Sequence, residues 1–374
     1  MDNEKKINVG ILCGGKSAEH EVSLQSARNI FESINRKKYN PILIGINKDG
    51  SWLYGSHTLA SDIIYHADDP LRICLNTTCS EVFLPVQSEG TLSMLGDPAG
   101  SGQAASVKLD VIFPILHGPF GEDGTVQGLL KLADIPFVGS GVLGSAIGMD
   151  KDVMKRLLRD AGFLMGKFVI YHEWETVPSF AQISAELGNP VFVKPANMGS
   201  SVGVNKVRDE ETFIDAVNEA FAYDTKIIIE EFIPGRELEC SVLGGSSIEA
   251  SIPGEIIPTH EFYSYDAKYL DENGAVLSIP ADIPSETARQ VQKLAIDVFS
   301  TLCCEGPGRV DFFLKDDGSI YINEINTMPG FTRISMYPKL WEASGLSYTD
   351  LIDRLIELAF ERFAKEKKLK ISYG

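Results

Sequence analysis

Apolar runs alternate along the chain with polar, glycine-bearing breaks, and their spacing predicts the elements. Residues 7–12 (INVGIL) read as a buried strand, Gly14-Gly15 as a turn, 22–34 as an amphipathic helix and 41–46 as a second buried strand. Strand, helix and strand in that order form a right-handed βαβ unit with parallel strands. The segment 68–106 is rich in Gly, Ser and Thr and reads as loops and edge strands. A third buried strand, 111–116, then runs straight into HGPFGEDG (117–124). Polar residues at the carboxyl ends of parallel strands are where open α/β sheets bind ligands.

After Asp150 the pattern changes, which places a boundary near 150: a helix over 151–161 is followed by short strands at 168–171, 191–194, 202–207 and 227–231. Further on come long alternating strands and two amphipathic helices. One, capped by Ser285, buries Val291, Leu294, Ala295, Val298 and Phe299; the other, capped near Thr349, buries Leu351, Leu355, Leu358 and Ala359.

Composition narrows the class. With 374 residues, 44% of them hydrophobic, the chain buries a core without disulfides or metals, and its six scattered cysteines show no zinc or redox spacing, so they read as reduced thiols. No stretch approaches the roughly 20 apolar residues of a membrane span, and the N-terminal MDNEKK is no signal segment. A cytoplasmic, soluble protein is expected. The net charge of −18 opposes nucleic acid and anionic membrane as partners. Any anionic ligand must be held by local cations.

Four motifs carry chemistry. Residues 10–17, GILCGGKS, spell a P-loop, but Gly10 lies inside the apolar strand and Glu19 and Glu21 crowd the helix start, where a phosphate needs positive potential. A carboxylate there suits an ammonium group instead, which nominates Glu19. The strand–loop–strand segment KPANMGSSVG (194–203) offers Lys194, Gly199, Ser200 and Ser201 as a cover over nucleotide phosphates. Its plain alternative is a connecting loop. Lys151 opens the helix after the boundary. The apolar run 227–233 ends in Glu230-Glu231 and leads through Pro234-Gly235 to Glu237; exposed backbone beside apolar side chains suits an adenine slot, and an acid beyond it suits ribose hydroxyls.

The fourth motif is the most informative. Asp317-Gly318 between two β-rich runs is a strong hairpin signal, and taking those two as the loop sets Asp311 opposite Glu324 and Arg309 opposite Asn326, all on one face. Opposed carboxylates repel unless a cation lies between them. Two carboxylates and an amide oxygen are hard ligands for Mg²⁺ bridging to phosphates; the plain alternative is a solvated face on which Arg309 neutralises Asp311. The turn after it, TMPGFT (327–332), offers backbone N–H groups for an oxyanion.

Together, GGKSAEHEVSLQSA (14–27), HGPFGEDGTVQG (117–128), MDK (149–151), VKPANMGSSVGV (193–204), EEFIPGRELE (230–239), FYSYDAKY (262–269), GRVDFF (308–313) and NEINTMPGFT (323–332) resemble the D-alanine:D-alanine ligases of the ATP-grasp superfamily. The resemblance implies a three-domain α/β architecture with an N-terminal Rossmann-like parallel sheet: 1–150 for substrate, 151–233 with the phosphate-covering loop, and 234–374 with a lid and the metal site. It implies ATP as co-substrate, two Mg²⁺ with Mn²⁺ as substitute, and a homodimer. In the roles it implies, Lys151, Lys194, Ser200, Ser201, Glu230, Glu231, Phe232, Ile233, Glu237 and Lys268 bind ATP, while Asp311, Glu324 and Asn326 hold metal. Glu19, His117, Lys268, Ser335 and Met336 serve the substrates; Glu19, Ser200 and Tyr269 form a hydrogen-bonded triad; Arg309 and the Gly330 N–H stabilise the tetrahedral intermediate. ATP phosphorylates the first D-alanine, and the amine of the second attacks the acyl phosphate. Depsipeptide or D-alanyl-D-serine ligation is the alternative, although relatives that make D-alanyl-D-lactate lack the tyrosine found at 269. Arg333 departs from the small residue common at its position.

Overall fold

The structure, a computed structural model, describes residues 5–55, 63–66, 73–76, 78–95, 106–258 and 275–373. Strands Tyr39–Ile46, Ile7–Gly14 and Val111–Pro114 are parallel neighbours with Ile7–Gly14 in the middle. Helix His20–Ser33 packs on them, and Val9, Ile11, Leu24, Ile30 and Phe113 are buried together. Continuous apolar runs suit strands covered on both faces. The sheet is not parallel throughout. Beyond Tyr39–Ile46 it continues through Trp52–Tyr54, Ser80–Phe83, Thr91–Met94 and Ser106–Lys108, all antiparallel. Two of the connections are short, 47–51 and 84–90, and in the second Gln87, Glu89 and Gly90 all take positive φ.

A second sheet, antiparallel, has the order Phe168–His172, Lys226–Glu231, Val191–Pro195, Asn205–Val207. Helices Phe180–Leu187 and Glu210–Tyr223 cover one face, burying Val191, Val193, Ile227 and Ile229. The strand expected from 202 begins only at Asn205. Ser200, Ser201 and Gly203 sit at φ of 50°, 61° and 67°, a left-handed backbone that no strand accommodates.

The third sheet runs Ala275–Ser278, Gly254–Pro258, Arg236–Gly244, Gly306–Leu314, Ile320–Asn326, with Ile248–Ala250 beside Arg236–Gly244. Its core joins helix Ser285–Thr301, through Val291, Ala295, Val298 and Phe299, to Met154 and Leu158 of helix Lys151–Asp160. Leu294 is half-buried at its edge. Helix Tyr348–Glu366 instead lies against the first sheet, where Leu351, Ile352 and Leu355 share the core of Val9 and Phe113.

The caps differ from expectation. Ser285 is the first helical residue, preceded by Pro284, and no side chain caps that helix. For the last helix Ser347 is the cap, accepting from the Asp350 N–H at 3.2 Å. The Thr349 hydroxyl donates to the Ser33 carbonyl at 3.0 Å, so it braces the first helix. No helix among the described residues is long and apolar enough to cross a membrane. Ser347→Ala should lower stability by about 1 kcal/mol in urea unfolding; an unchanged midpoint would show that this cap contributes nothing.

Candidate active site

Two adjoining cavities, of about 140 and 170 Å³, open where the three sheets meet. Gly199, Ser200, Glu237, Phe313, Asn323 and Glu324 line both. The first also takes in Glu19, His117, Arg309, Gly330, Ser335 and Met336; the second takes in Lys151, Lys194, Glu230, Glu231, Phe232 and Ile233. Every sequence-nominated site residue that the structure describes borders this pair of cavities; Lys268 and Tyr269 lie outside the described residues.

The GILCGGKS segment does not cradle a phosphate. Gly10 is inside its strand, the Gly14 N–H donates to Ser23 Oγ at 2.8 Å and the Gly15 N–H to the Ile46 carbonyl at 2.7 Å. Glu19 stands at the helix start, buried, where it accepts a hydrogen bond from the Ser200 hydroxyl. A Cβ on Gly118 or Gly199 would come within 2.8 and 2.9 Å of Glu19 Oε2, so both glycines admit this carboxylate.

The acidic hairpin has the expected pairing for an unexpected reason. Its turn is a three-residue loop, Asp316-Asp317-Gly318: the Lys315 N–H donates to the Ser319 carbonyl at 3.0 Å and Gly318 has φ of 83°. That loop starts the ladder one residue out of the expected register, with Phe312 opposite Ile322. A bulge at Asn323 restores it, setting Asp311 against Glu324 and Arg309 against Asn326. Alternation buries Val310, Phe312 and Leu314 and turns Arg309, Asp311 and Phe313 to the cleft.

Arg309 grips Asp311 through Nε and Nη2, both at 2.7 Å, and reaches Glu239 Oε2 at 2.9 Å. Asn326 Nδ2 donates to Asp311 Oδ2 at 3.1 Å. The pairing is that of the solvated-face reading, but the face is not solvated: the Arg309 and Asp311 side chains are 18% and 13% exposed. Glu324 lies 3.8 Å from Lys151 Nζ. Among the described residues no three His, Cys, Asp or Glu side chains make a ready cation site. Two carboxylates and the Asn326 amide oxygen nonetheless fit Mg²⁺, a hard cation that takes its remaining ligands from water and phosphates.

Alternation on strand Val191–Pro195 sends Val191 and Val193 to the helices and Phe192 and Lys194 to the cleft. Glu230, on the neighbouring strand, lies between two lysines, with Lys155 and Lys194 Nζ each at 2.6 Å. Burial opposes its charge, yet the two lysines outweigh burial and hold its carboxyl down to about 2. Burial likewise opposes the Lys194 charge, and Glu230 and Glu324 outweigh it and raise that pKa. Glu230 therefore meets the lysines with its side chain. Glu231 turns its carboxylate to the Lys167 N–H at 2.8 Å. Lys151 Nζ donates to the Met198 carbonyl at 2.5 Å, tethering the covering loop. Lys206 lies 4.4 Å from the Phe232 ring centre, at the apolar end.

The opposite end is held by the first sheet. His117 Nδ1 donates to the Met328 carbonyl at 3.1 Å, and the Ser26 hydroxyl lies 3.4 Å from Nε2. Burial drives the His117 pKa down to about 4, only partly offset by that carbonyl, so the ring is neutral. Among the described residues the Gly330 N–H meets no protein acceptor. Ser335 Oγ accepts from the Thr332 N–H at 3.0 Å, at the start of helix Met336–Ala343.

Profiles of the D-ala D-ala ligase N-terminus and C-terminus match residues 8–140 and 157–357. The chain belongs to the D-alanine–D-alanine ligase family. This ligase is 52% identical to the D-alanine–D-alanine ligase of Oceanobacillus iheyensis over 98% of its chain and 99% of that protein. To D-alanine–D-alanine ligase A of Escherichia coli K12 it is 51% identical, again over 98% and 99%. The solved D-alanine-D-alanine ligase from Coxiella burnetii superposes with a TM-score of 0.81 at 37% identity, over 97% of this chain and 96% of that one. The VanG D-Ala:D-Ser ligase from Enterococcus faecalis does so with 0.79 at 34%, over 95% and 100%. The ligase has the ATP-grasp fold, and its family depends on ATP and usually on divalent metal ions.

Sequence reasoning missed Lys155, Glu239, Lys206 and Glu122. Lys155 follows Lys151 by one helical turn and Glu239 follows Glu237 on the same strand face, so both were readable from spacing. Glu122 stands inside the HGPFGEDG motif, whereas Lys206 owes its place to pairing with Phe192, which only the folded sheet supplies.

The neutral His117 makes a testable signature. Its folded pKa is below the unfolded value, so the unfolded ligase binds the extra proton and stability falls as pH drops from about 6.5 to about 4. Relative to wild type, His117→Gln should lack a stability slope of about 1.4 kcal/mol per pH unit in that window, read by urea unfolding. Parallel slopes would show that the buried ring is charged.

Proposed function

We propose that this ligase joins two D-alanine molecules into D-alanyl-D-alanine, consuming one ATP to ADP and phosphate, to supply peptidoglycan precursors. The observation that carries this reading is the pair of adjoining cavities, one lined by Lys151 and Lys194, the other by Glu19, Arg309 and Gly330. A phosphate donor and an amino acid placed in them meet at the shared wall.

Residues 151–233 close over the nucleotide: Phe232 and Ile233 border the adenine, Glu237 the ribose, and Lys151, Lys194, Ser200 and Ser201 the phosphates. Residues 234–374 bear Asp311, Glu324 and Asn326, which would hold two Mg²⁺, with Mn²⁺ as substitute. When bound, the metal neutralises phosphate charge. Residues 1–150 present the first amino acid, its ammonium group on Glu19 and its carboxylate near His117. That carboxylate attacks the γ-phosphorus, forming an O–P bond as the bond to ADP breaks. The second D-alanine, its carboxylate on Ser335 and the start of the helix at Met336, attacks the acyl carbon with its free amine. Arg309 and the Gly330 N–H face the oxyanion, the C–O bond to phosphate breaks, and the amine sheds its proton. By resemblance Lys268 and Tyr269 complete this site and keep water from the acyl phosphate. A cytoplasmic homodimer is part of the same reading.

Purified protein given ATP, Mg²⁺ and D-alanine, D-lactate and D-serine together should release phosphate and yield chiefly D-alanyl-D-alanine by mass spectrometry. No phosphate release, or a dominant depsipeptide or D-alanyl-D-serine, overturns the proposal. Glu324→Gln should lose most of the turnover while keeping its circular dichroism spectrum; near-normal turnover would refute the metal assignment.

A further inference from the structure

Met328 is held at both ends of its backbone by one loop of the first sheet. Its carbonyl accepts from His117 Nδ1 at 3.1 Å, and its N–H donates to Glu122 Oε1 at 3.2 Å. The other oxygen of Glu122 accepts from the Gly118 N–H at 2.7 Å. Gly118 in turn packs on Glu19, since a Cβ there would lie 2.8 Å from Oε2. Gln127 steadies the loop by donating to the Gly121 carbonyl at 2.8 Å. Glu122 is buried. Its carboxylate thus spans the loop around the ammonium-binding acid and the turn that carries Gly330, more than 200 residues apart in the chain.

We propose that Glu122 is a positioning residue that fixes the Gly330 N–H toward the acyl carbon by tying Met328 to the loop around Glu19. This rests on the ligase reading above, in which that N–H faces the oxyanion. Burial, with the Glu19 charge added, pushes the Glu122 pKa up, and the Gly118 and Met328 N–H groups that its two oxygens accept from oppose that rise and favour the carboxylate. The cost of losing it falls on the step in which the oxyanion forms, because neither ATP nor the ground-state amino acid needs that N–H.

Glu122→Gln tests this. An amide can accept from one of the two N–H groups but presents its own NH₂ to the other, so one tie is lost at constant volume. About a hundred-fold loss of kcat is expected, with KM for ATP and D-alanine within about twofold of wild type. Affinity for a dipeptide analogue with a tetrahedral phosphinate in place of the carbonyl should fall in parallel with kcat/KM. Glu122→Asp keeps the acid but shortens its reach, and should show the same split, more mildly, if Glu122→Gln does not fold. Unchanged kcat, a loss borne by KM for ATP, or undiminished phosphinate affinity overturns the proposal. A wild type that makes no dipeptide would instead sink the ligase reading, so the two failures are distinguishable.

Discussion

Asp311 and Glu324 face each other across a hairpin, and like charges so placed repel unless positive charge stands beside them. The cleft is organised around supplying it. Arg309, from the same strand, takes Asp311; Lys151, from helix Lys151–Asp160, approaches Glu324; Lys194, from the second sheet, reaches into the cleft from Glu230. Each cation arrives on a different element, so the second sheet must lie against the third for the acids to be tolerated. In a half-buried cleft these attractions are weakly screened. A chain of net charge −18 therefore builds a local positive site by placing a few lysines and arginines among buried acids.

The first sheet completes the arrangement from the other side. Helix Tyr348–Glu366 packs into its core, and the Tyr348 hydroxyl, at 2.7 Å, and Asn29 Nδ2, at 3.2 Å, both donate to the Phe331 carbonyl. The Phe331 N–H donates to Ser26 Oγ at 3.2 Å, next to His117. The turn that follows the acidic hairpin is thereby gripped by residues from the first helix and the last helix. Its backbone donors are fixed before any substrate arrives, as electrostatic stabilisation of a transition state demands.

Much of this was legible in the sequence because local chemistry and pattern agreed. Buried parallel strands, the helix behind Lys151 and the acidic hairpin each carry a period or turn residue that states what they are. The Asp311–Glu324 pairing was reached through two departures that cancel: Asp316 joins Asp317-Gly318 in the loop, and Asn323 bulges to compensate. No local signal announces a bulge of that kind. The edge strands expected in 68–106 include Ser80–Phe83 and Thr91–Met94, whereas the three-residue strand Trp52–Tyr54 leaves too little periodicity to be read, and the run at 202–204 reads as strand because β-branched valines outweigh the left-handed serines before them. The part of Glu122 was invisible for another reason: its partner at Met328 is brought near only by the fold.

In the proposed reaction the two cavities perform one sequence of events, phosphorylation of a carboxylate followed by displacement of the phosphate by an amine. Oxygen tracing tests it most directly. With D-alanine labelled by ¹⁸O in its carboxylate, the oxygen that joins carbon to phosphorus leaves with phosphate when the amine attacks. One ¹⁸O in the inorganic phosphate is expected for each dipeptide formed. Unlabelled phosphate beside labelled dipeptide would contradict it.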